Sequence, residues 1–226
     1  AYEILSGLVG SEMCIRDRSF MMDDYNASGQ NWMISQSSNG DIFFANNDGL
    51  LVYNGNKWNS YSSTSNTIFR SVNSINDIVY TGENSDFGFW IKQNNGSYIY
   101  TSIPNKYEFE LFEDEEFWNI LEFKNWIVFQ SLDRFIFFDP ISEVISSIRP
   151  NGGVFKSFII DNNLFFSING QGIFKIDGGN YIPYNTNGIF TKNNIINVFK
   201  SGNSLLALTQ YSGFYNILQN LSLIHI

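Results

Sequence analysis

Histidine and cysteine are nearly missing from this chain: its 226 residues contain one of each, His225 and Cys14. Both lie close to a terminus, so the interior, about residues 19–220, holds neither. A Ser-His-Asp or Cys-His catalytic site cannot be assembled from that interior, and zinc ligation by histidine and cysteine is excluded there. A single cysteine forms no intrachain disulfide framework, so the sequence carries no redox evidence about compartment. Basic residues are also few, 13 against 22 acidic. An acidic balance offers nothing to offset phosphate repulsion, which argues against DNA or RNA contact and against a polybasic membrane patch. Long apolar runs are absent as well: LSGLVG, near the start, is too short and too polar-flanked for a signal peptide or a membrane span.

The terminal strings AYEILSGLVGSEMCIRDR (1–18) and LSLIHI (221–226) resemble translated sequencing-adapter sequence, and neither joins the pattern between them. They are set aside as non-native in reasoning about the fold. Without them the chain loses Arg16, Arg18, Glu3, Glu12 and Asp17, and its net charge is −8.

What remains is rich in Phe, Tyr, Trp and Ile, which suit pleated, half-buried surfaces, with Asn, Gly and Ser between them as turns require. It is also repetitive. Units open on Trp32, Phe69, Trp118, Phe155 and Ile196, at intervals of 37, 49, 37 and 41 residues, the long one containing an insertion, PNKYEFELFEDEE (104–116). Each unit reads as a first strand (NWMISQ, IFRSVN, FWNILEF, VFKSFII, IINVFK), a short turn and a second strand. A polar turn, often with glycine, then leads to a third strand, and four units add a fourth. No amphipathic run is long enough for a core helix. Four short strands at this period predict an all-β fold, a β-propeller of about five four-stranded blades, the last one incomplete, cut from a larger propeller. The expected blades are 31–62, 68–103, 117–150, 154–185 and 195–219. Their aromatics, Trp58 and Trp90 among them, are expected between blades rather than in a cofactor site. A five-blade arc that does not close would expose apolar blade faces at both ends, an association hazard.

The segment NWMISQSSNGDIFFANNDGLLVYNGNKWNSYS (31–62) resembles the two-component-regulator propeller repeat, with Trp32, Ile34, Gly40, Gly49, Leu50, Tyr53 and Asn54 at its pattern positions. TGENSDFGFW (81–90), EDEEFWNI (113–120), FQSLDR (129–134) and QYSGFYNI (210–217) are similar to the sensor propellers of Bacteroidetes (flavobacterial) regulators. Those regulators carry a triple-tyrosine module and often a LuxR-type helix-turn-helix. The third repeat departs from the pattern, since Arg134 stands at the turn glycine. The resemblance implies a periplasmic or extracytoplasmic sensor portion of an inner-membrane protein. It also implies signal-transduction domains downstream, and leaves a dimer open for the full-length protein.

A ligand would meet the face formed by the turns between second and third strands. Aligned first strands place Met33, Arg70, Asn119, Lys156 and Asn197 in one column beside the anchors, expected near the central channel. The turns add Asp48, Glu83, Asp86, Gln130, Asp133, Gln171 and Gln210, with Asn47, Asn84, Asn169 and Tyr211 beside them. Such a funnel suits a small polar ligand such as a glycan. Ordinary turn chemistry and a hydrated channel explain the same residues. The insertion's Glu108, Glu110, Glu113, Asp114, Glu115 and Glu116 lack calcium-loop spacing and are expected as a solvated acidic loop. No cofactor, metal or catalytic residue is assigned. The competing functions are a propeller glycoside hydrolase, for which Glu83, Asp86, Asp48 and Asp133 are the tempting carboxyls, and a protein-interaction scaffold.

Overall fold

The computed structural model describes residues 18–186, 188–202 and 204–217, with the backbone of 223–225. The expected adapter-like residues 1–17, 221, 222 and 226 lie outside the described residues. The described chain is all-β apart from three one-turn helices: α1 (Met22–Tyr25), α2 (Ile103–Tyr107) and α3 (Gly188–Lys192).

The strands form five antiparallel four-stranded meanders, each the blade of a partial β-propeller. The first blade is β1 (Asn31–Gln36), β2 (Ile42–Asn46), β3 (Gly49–Tyr53) and β4 (Trp58–Tyr61). The second is β5 (Phe69–Ile75), β6 (Ile78–Glu83), β7 (Phe87–Lys92) and β8 (Tyr98–Ser102). The third is β9 (Phe117–Phe123), β10 (Trp126–Ser131), β11 (Phe135–Phe138) and β12 (Ile145–Ile148). The fourth is β13 (Val154–Ile160), β14 (Asn163–Ile168), β15 (Gly172–Asp177) and β16 (Asn180–Asn185). The fifth is β17 (Ile195–Ser201), β18 (Ser204–Thr209), β19 (Gly213–Ile217) and β20 (Leu223–His225). The sequence led us to expect no fourth strand in that last unit. In the structure β20 pairs antiparallel with β19 through Tyr215–His225, Asn216–Ile224 and Ile217–Leu223, because the edge of β19 offers free ladder groups to any extended segment.

Successive strand residues point to opposite faces, and here both faces are apolar, so each blade must be covered twice. The result is four separate cores, one per seam. Phe43, Val52, Val72 and Trp90 join blades one and two, and Tyr80, Phe87, Ile120 and Phe129 join two and three. Val128, Phe135, Val154 and Phe166 join three and four, and Phe165, Phe190, Val198 and Tyr215 join four and five. Trp90 is buried as expected, its indole donating to Thr81 Oγ1 at 2.9 Å. First strands are also tied sideways. The Ser74 amide donates to Ser35 Oγ at 2.9 Å, Ser71 Oγ to the Phe117 carbonyl at 2.8 Å and Asn73 Nδ2 to the Ile120 carbonyl at 3.0 Å.

Gly49 shows why turn glycines recur. Its φ is +135°, and a Cβ there would sit 2.3 Å from the Tyr61 carbonyl oxygen. Among the described residues the two outermost faces have no neighbouring blade. Ile34 is 62 % exposed, whereas Val72 and Ile120, at the same strand position, are 1 % and 2 % exposed. Phe20 and Tyr25 cover part of that first face, packing on Trp58 at 5.1 and 5.4 Å between ring centroids. At the far end Phe199 and Phe214 are exposed.

Burial, not residue type, should therefore decide the cost of truncation at this position. Ile120→Ala is expected to lower unfolding stability by about 3 kcal/mol and Ile34→Ala by under about 0.5 kcal/mol, read by urea denaturation. Equal losses would show that the first blade's outer face is covered in solution.

Candidate ligand site at the blade axis

All five first strands carry a β-bulge at the same place. In β5, Phe69 pairs with Glu83 and Ser71 with Gly82, leaving Arg70 as the extra residue. The corresponding extra residues are Trp32, Trp118, Phe155 and Ile196. A bulge inserts one unpaired residue, bends the strand and re-aims that side chain. This corrects the expected alignment in two ways. The buried anchors are Phe69, Phe117, Val154 and Ile195, while Trp32 and Ile196 are each 42 % exposed. Arg70 shares its column with the tryptophans, not with Asn119, Lys156 and Asn197. The bulge shifts the alternation by one residue, which a simple period-two alignment does not register.

Arg70 lies between two of its column-mates. Its guanidinium carbon is 4.4 Å from the Trp32 ring centroid and 4.8 Å from that of Trp118, and the two indoles meet edge to face at 5.7 Å. Trp32 belongs to blade one and Trp118 to blade three, so blades that share no seam touch across blade two. That contact marks the axis. Glu116, from the insertion, accepts from Arg70 Nε at 3.0 Å and from its terminal nitrogen at 2.7 Å, holding the guanidinium against both rings. Trp118 Nε1 is a buried donor with no acceptor among the described residues.

The remaining expected site residues divide into two groups. Those in the first group are committed to bonds between blades or within one. Asn119 Nδ2 donates to Ser157 Oγ at 3.2 Å, and Ser157 Oγ in turn donates to Gln130 Oε1, all three buried in the seam between blades three and four. Glu83 is fully buried and accepts from the Ser63 hydroxyl, from Ser65 at 2.6 Å and from Thr67 at 3.3 Å, all in the linker entering blade two. Asp86, also buried, accepts from Ser102 Oγ at 2.7 Å, the Tyr100 hydroxyl at 3.1 Å and the Phe87 amide at 2.8 Å. These residues were expected to face a ligand; Ser157 of β13 claims Asn119 and Gln130, the 63–67 linker claims Glu83, and β8 of the same blade claims Asp86. The second group stays accessible. Asp48, Asp133, Gln171 and Gln210 are exposed, and Lys156 and Asn197 half-buried. Asp48 accepts the Ser28 amide at 2.7 Å, Gln171 donates to the Asn151 carbonyl at 2.7 Å, and Gln210 accepts from Asn194 at 3.0 Å. Asp133 edges a shallow polar cavity of about 470 Å³ with Arg149 and Asn151–Gly153.

The insertion is not simply a solvated acidic loop. Glu108, Glu110, Glu113 and Asp114 are exposed, but Glu115 is buried. Arg134 grips it with two nitrogens at 2.9 and 2.7 Å, and Ser131 Oγ donates to it at 2.8 Å. The Arg134 guanidinium also lies 3.9 Å from the Phe112 ring centroid. The lost turn glycine of the third repeat is therefore explained: Arg134 fastens the insertion, which positions Glu116 against Arg70. Sequence reasoning missed Trp32, Trp118 and Glu116. The readable signal was the coincidence, in one repeat, of an acidic insertion and an arginine at a glycine position.

No family model matches the chain, and no curated protein matches it. Solved structures do. The extracellular domain of the putative hybrid two-component system BT4673 from B. thetaiotaomicron aligns at TM-score 0.55 and 17 % identity, over 89 % of this chain and 33 % of that one. That of BT3049 from the same organism aligns at TM-score 0.59 and 12 % identity, over 92 % and 36 %. YCF48 from Cyanidioschyzon merolae aligns at TM-score 0.60 and 11 % identity, over 85 % and 70 %. The fold is a partial β-propeller. This propeller segment spans about one third of the length of the two regulator domains it matches. Among the described residues no helix is long and apolar enough to cross a membrane.

Two outcomes follow. Burial pushes the Glu83 carboxyl up to about 7 from an ordinary 4.5 and raises that of Asp86 too. Between those values the folded chain binds more protons than the unfolded chain, so stability should fall as pH rises from about 4.5 to about 7, by about 3 kcal/mol at most from Glu83. Melting temperatures across that range should fall for the native chain and fall less for Glu83→Gln; identical slopes would place the titration elsewhere. Separately, Glu115→Ala should cost about 3–5 kcal/mol in denaturant titrations, because it strands the buried Arg134 charge. A loss below about 1 kcal/mol would mean that water replaces the carboxylate.

Proposed function

We propose that this chain is the ligand-binding, non-catalytic propeller segment of an extracytoplasmic sensor belonging to a bacterial membrane-anchored regulator. The observation that carries the reading is the convergence of Trp32, Arg70 and Trp118 from three blades at the axis. The partly exposed Trp32 indole and an arginine held by Glu116 make up a recognition surface for a small polar ligand with a flat apolar side, such as a glycan. The fold shared with two extracellular domains of hybrid two-component systems supports the sensor assignment. Further blades, downstream signalling or DNA-binding domains and a dimeric full-length protein belong to the same proposal.

A glycoside hydrolase has less support. Glu83 and Asp86 sit in one turn, buried and bonded by hydroxyl donors, whereas glycosidase carboxyls face each other across an open cleft. Hydrolysis of aryl-glycosides, abolished by Glu83→Gln or Asp133→Asn, would replace the sensor reading.

The test is tryptophan fluorescence titration against cellohexaose, maltohexaose and oligogalacturonate. At least one should perturb the emission saturably, and Trp32→Ala should weaken its binding ~10-fold or more while leaving the melting temperature within about 2 °C. Unaltered affinity in Trp32→Ala would remove the axis from the site.

A further inference from the structure

A second cavity lies on the opposite face, where first strands turn into second strands, in the seam between blades four and five. Its volume is about 370 Å³, within the range of small-ligand pockets. One residue accounts for its character. Across each blade, a third-strand residue pairs with a second-strand residue and faces the next blade. In blades one to three that residue is Val52, Phe89 or Phe137, paired with Phe43, Tyr80 and Val128, and each contributes to a seam core. In blade four the same position, paired with Phe165, is Lys175.

Lys175 is half-buried and has no ion pair or side-chain hydrogen bond among the described residues. A cation placed in an apolar seam without a counter-ion is costly, and packing alone would favour another Val or Phe. Tyr184 also lines the cavity. Burial raises its hydroxyl pKa, so it remains a donor, and no hydrogen-bond partner for it is found among the described residues. Beside them the walls are apolar at Ile160, Leu205 and the Phe165 ring, which meets Tyr184 edge to face at 4.8 Å, and polar at Asn163 and Asp161. The cavity's other lysine, Lys200, is already engaged by Asp161 at 2.6 Å. Gly202 and Ser204 line the blade-five side.

We infer that this seam cavity binds a small organic carboxylate with an apolar body. The Lys175 ammonium supplies the counter-charge, the Tyr184 hydroxyl donates a hydrogen bond to the carboxylate, and Phe165 and Leu205 cover the apolar part. The site is independent of the axis and of the sensor reading. Its ligand touches two blades at once, so occupancy stabilises the seam by mass action.

The experiment titrates the full chain with benzoate and with hexanoate, following melting temperature and calorimetric heat. Benzamide, hexanamide and inorganic phosphate serve as comparison probes. The expected result is saturable stabilisation by at least one of the two carboxylates, at least tenfold weaker binding of its amide and of phosphate, and loss of the effect in Lys175→Met. Tyr184→Phe should weaken binding severalfold. Lys175→Met restores an apolar residue at this position, so without ligand it should melt no lower than the native chain. That keeps its loss of binding distinct from misfolding, and Trp32→Ala should bind the carboxylate unchanged. The inference is overturned if neither carboxylate stabilises the chain, if the amide or phosphate binds as well, or if Lys175→Met retains the response.

Discussion

Both faces of every sheet in this chain are apolar, and neither can stand in water without loss. Phe43 and Phe44 are consecutive in β2 and point to opposite sides, one into the seam with blade two and the other outward. A single blade cannot satisfy both faces, whereas a stack of blades does so at every internal seam. The stability of this molecule therefore resides in four seam cores, each made by two neighbours, instead of one interior. The hydrogen bonds between first strands and the linkers threaded past the turns reinforce those seams and have little to hold without them.

The same constraint explains where polar chemistry is allowed. Near the turns, Asp86 is buried against hydroxyls of β8 in its own blade, and Glu83, Glu115 and Arg134 are buried because linkers passing between blades must satisfy their own polar groups somewhere. Their polar partners come from segments that differ from repeat to repeat: serines before blade two, the insertion before blade three. The turn glycine gives way to Asp86 in blade two, where hydroxyls of β8 bond it, and to Arg134 in blade three, where it fastens the insertion. Elsewhere Gly49, Gly172 and Gly213 keep the position.

The architecture was legible in the sequence because alternation and turn residues recur at a fixed spacing, and each is a local signal. Blade number, strand order and the inter-blade placement of most aromatics follow from it. The site was legible only in part. Arg70 was singled out, but it was placed in the wrong column, because repeat two carries an arginine where the other four carry an apolar bulged residue, and an alignment on apolar letters takes the preceding Phe69 instead. Asn119, Gln130, Glu83 and Asp86 look like any polar residue near a turn until the strand or linker packed on them is known. That packing is non-local, and a repeat alignment contains no information about it. Glu116 reaches Arg70 across 46 residues, a distance fixed by the insertion's own folding.

The bulge separates two kinds of inheritance. A residue paired across the ladder is bound by the volume of the seam behind it, and its neighbours must change with it. The bulged residue has no cross-strand partner, and in five successive repeats it is Trp, Arg, Trp, Phe and Ile. Copies of one ancestral blade can thus diverge in what they present to the axis while their packing surfaces stay interchangeable. A lineage built this way can alter its specificity one repeat at a time without disturbing the joints that keep it folded.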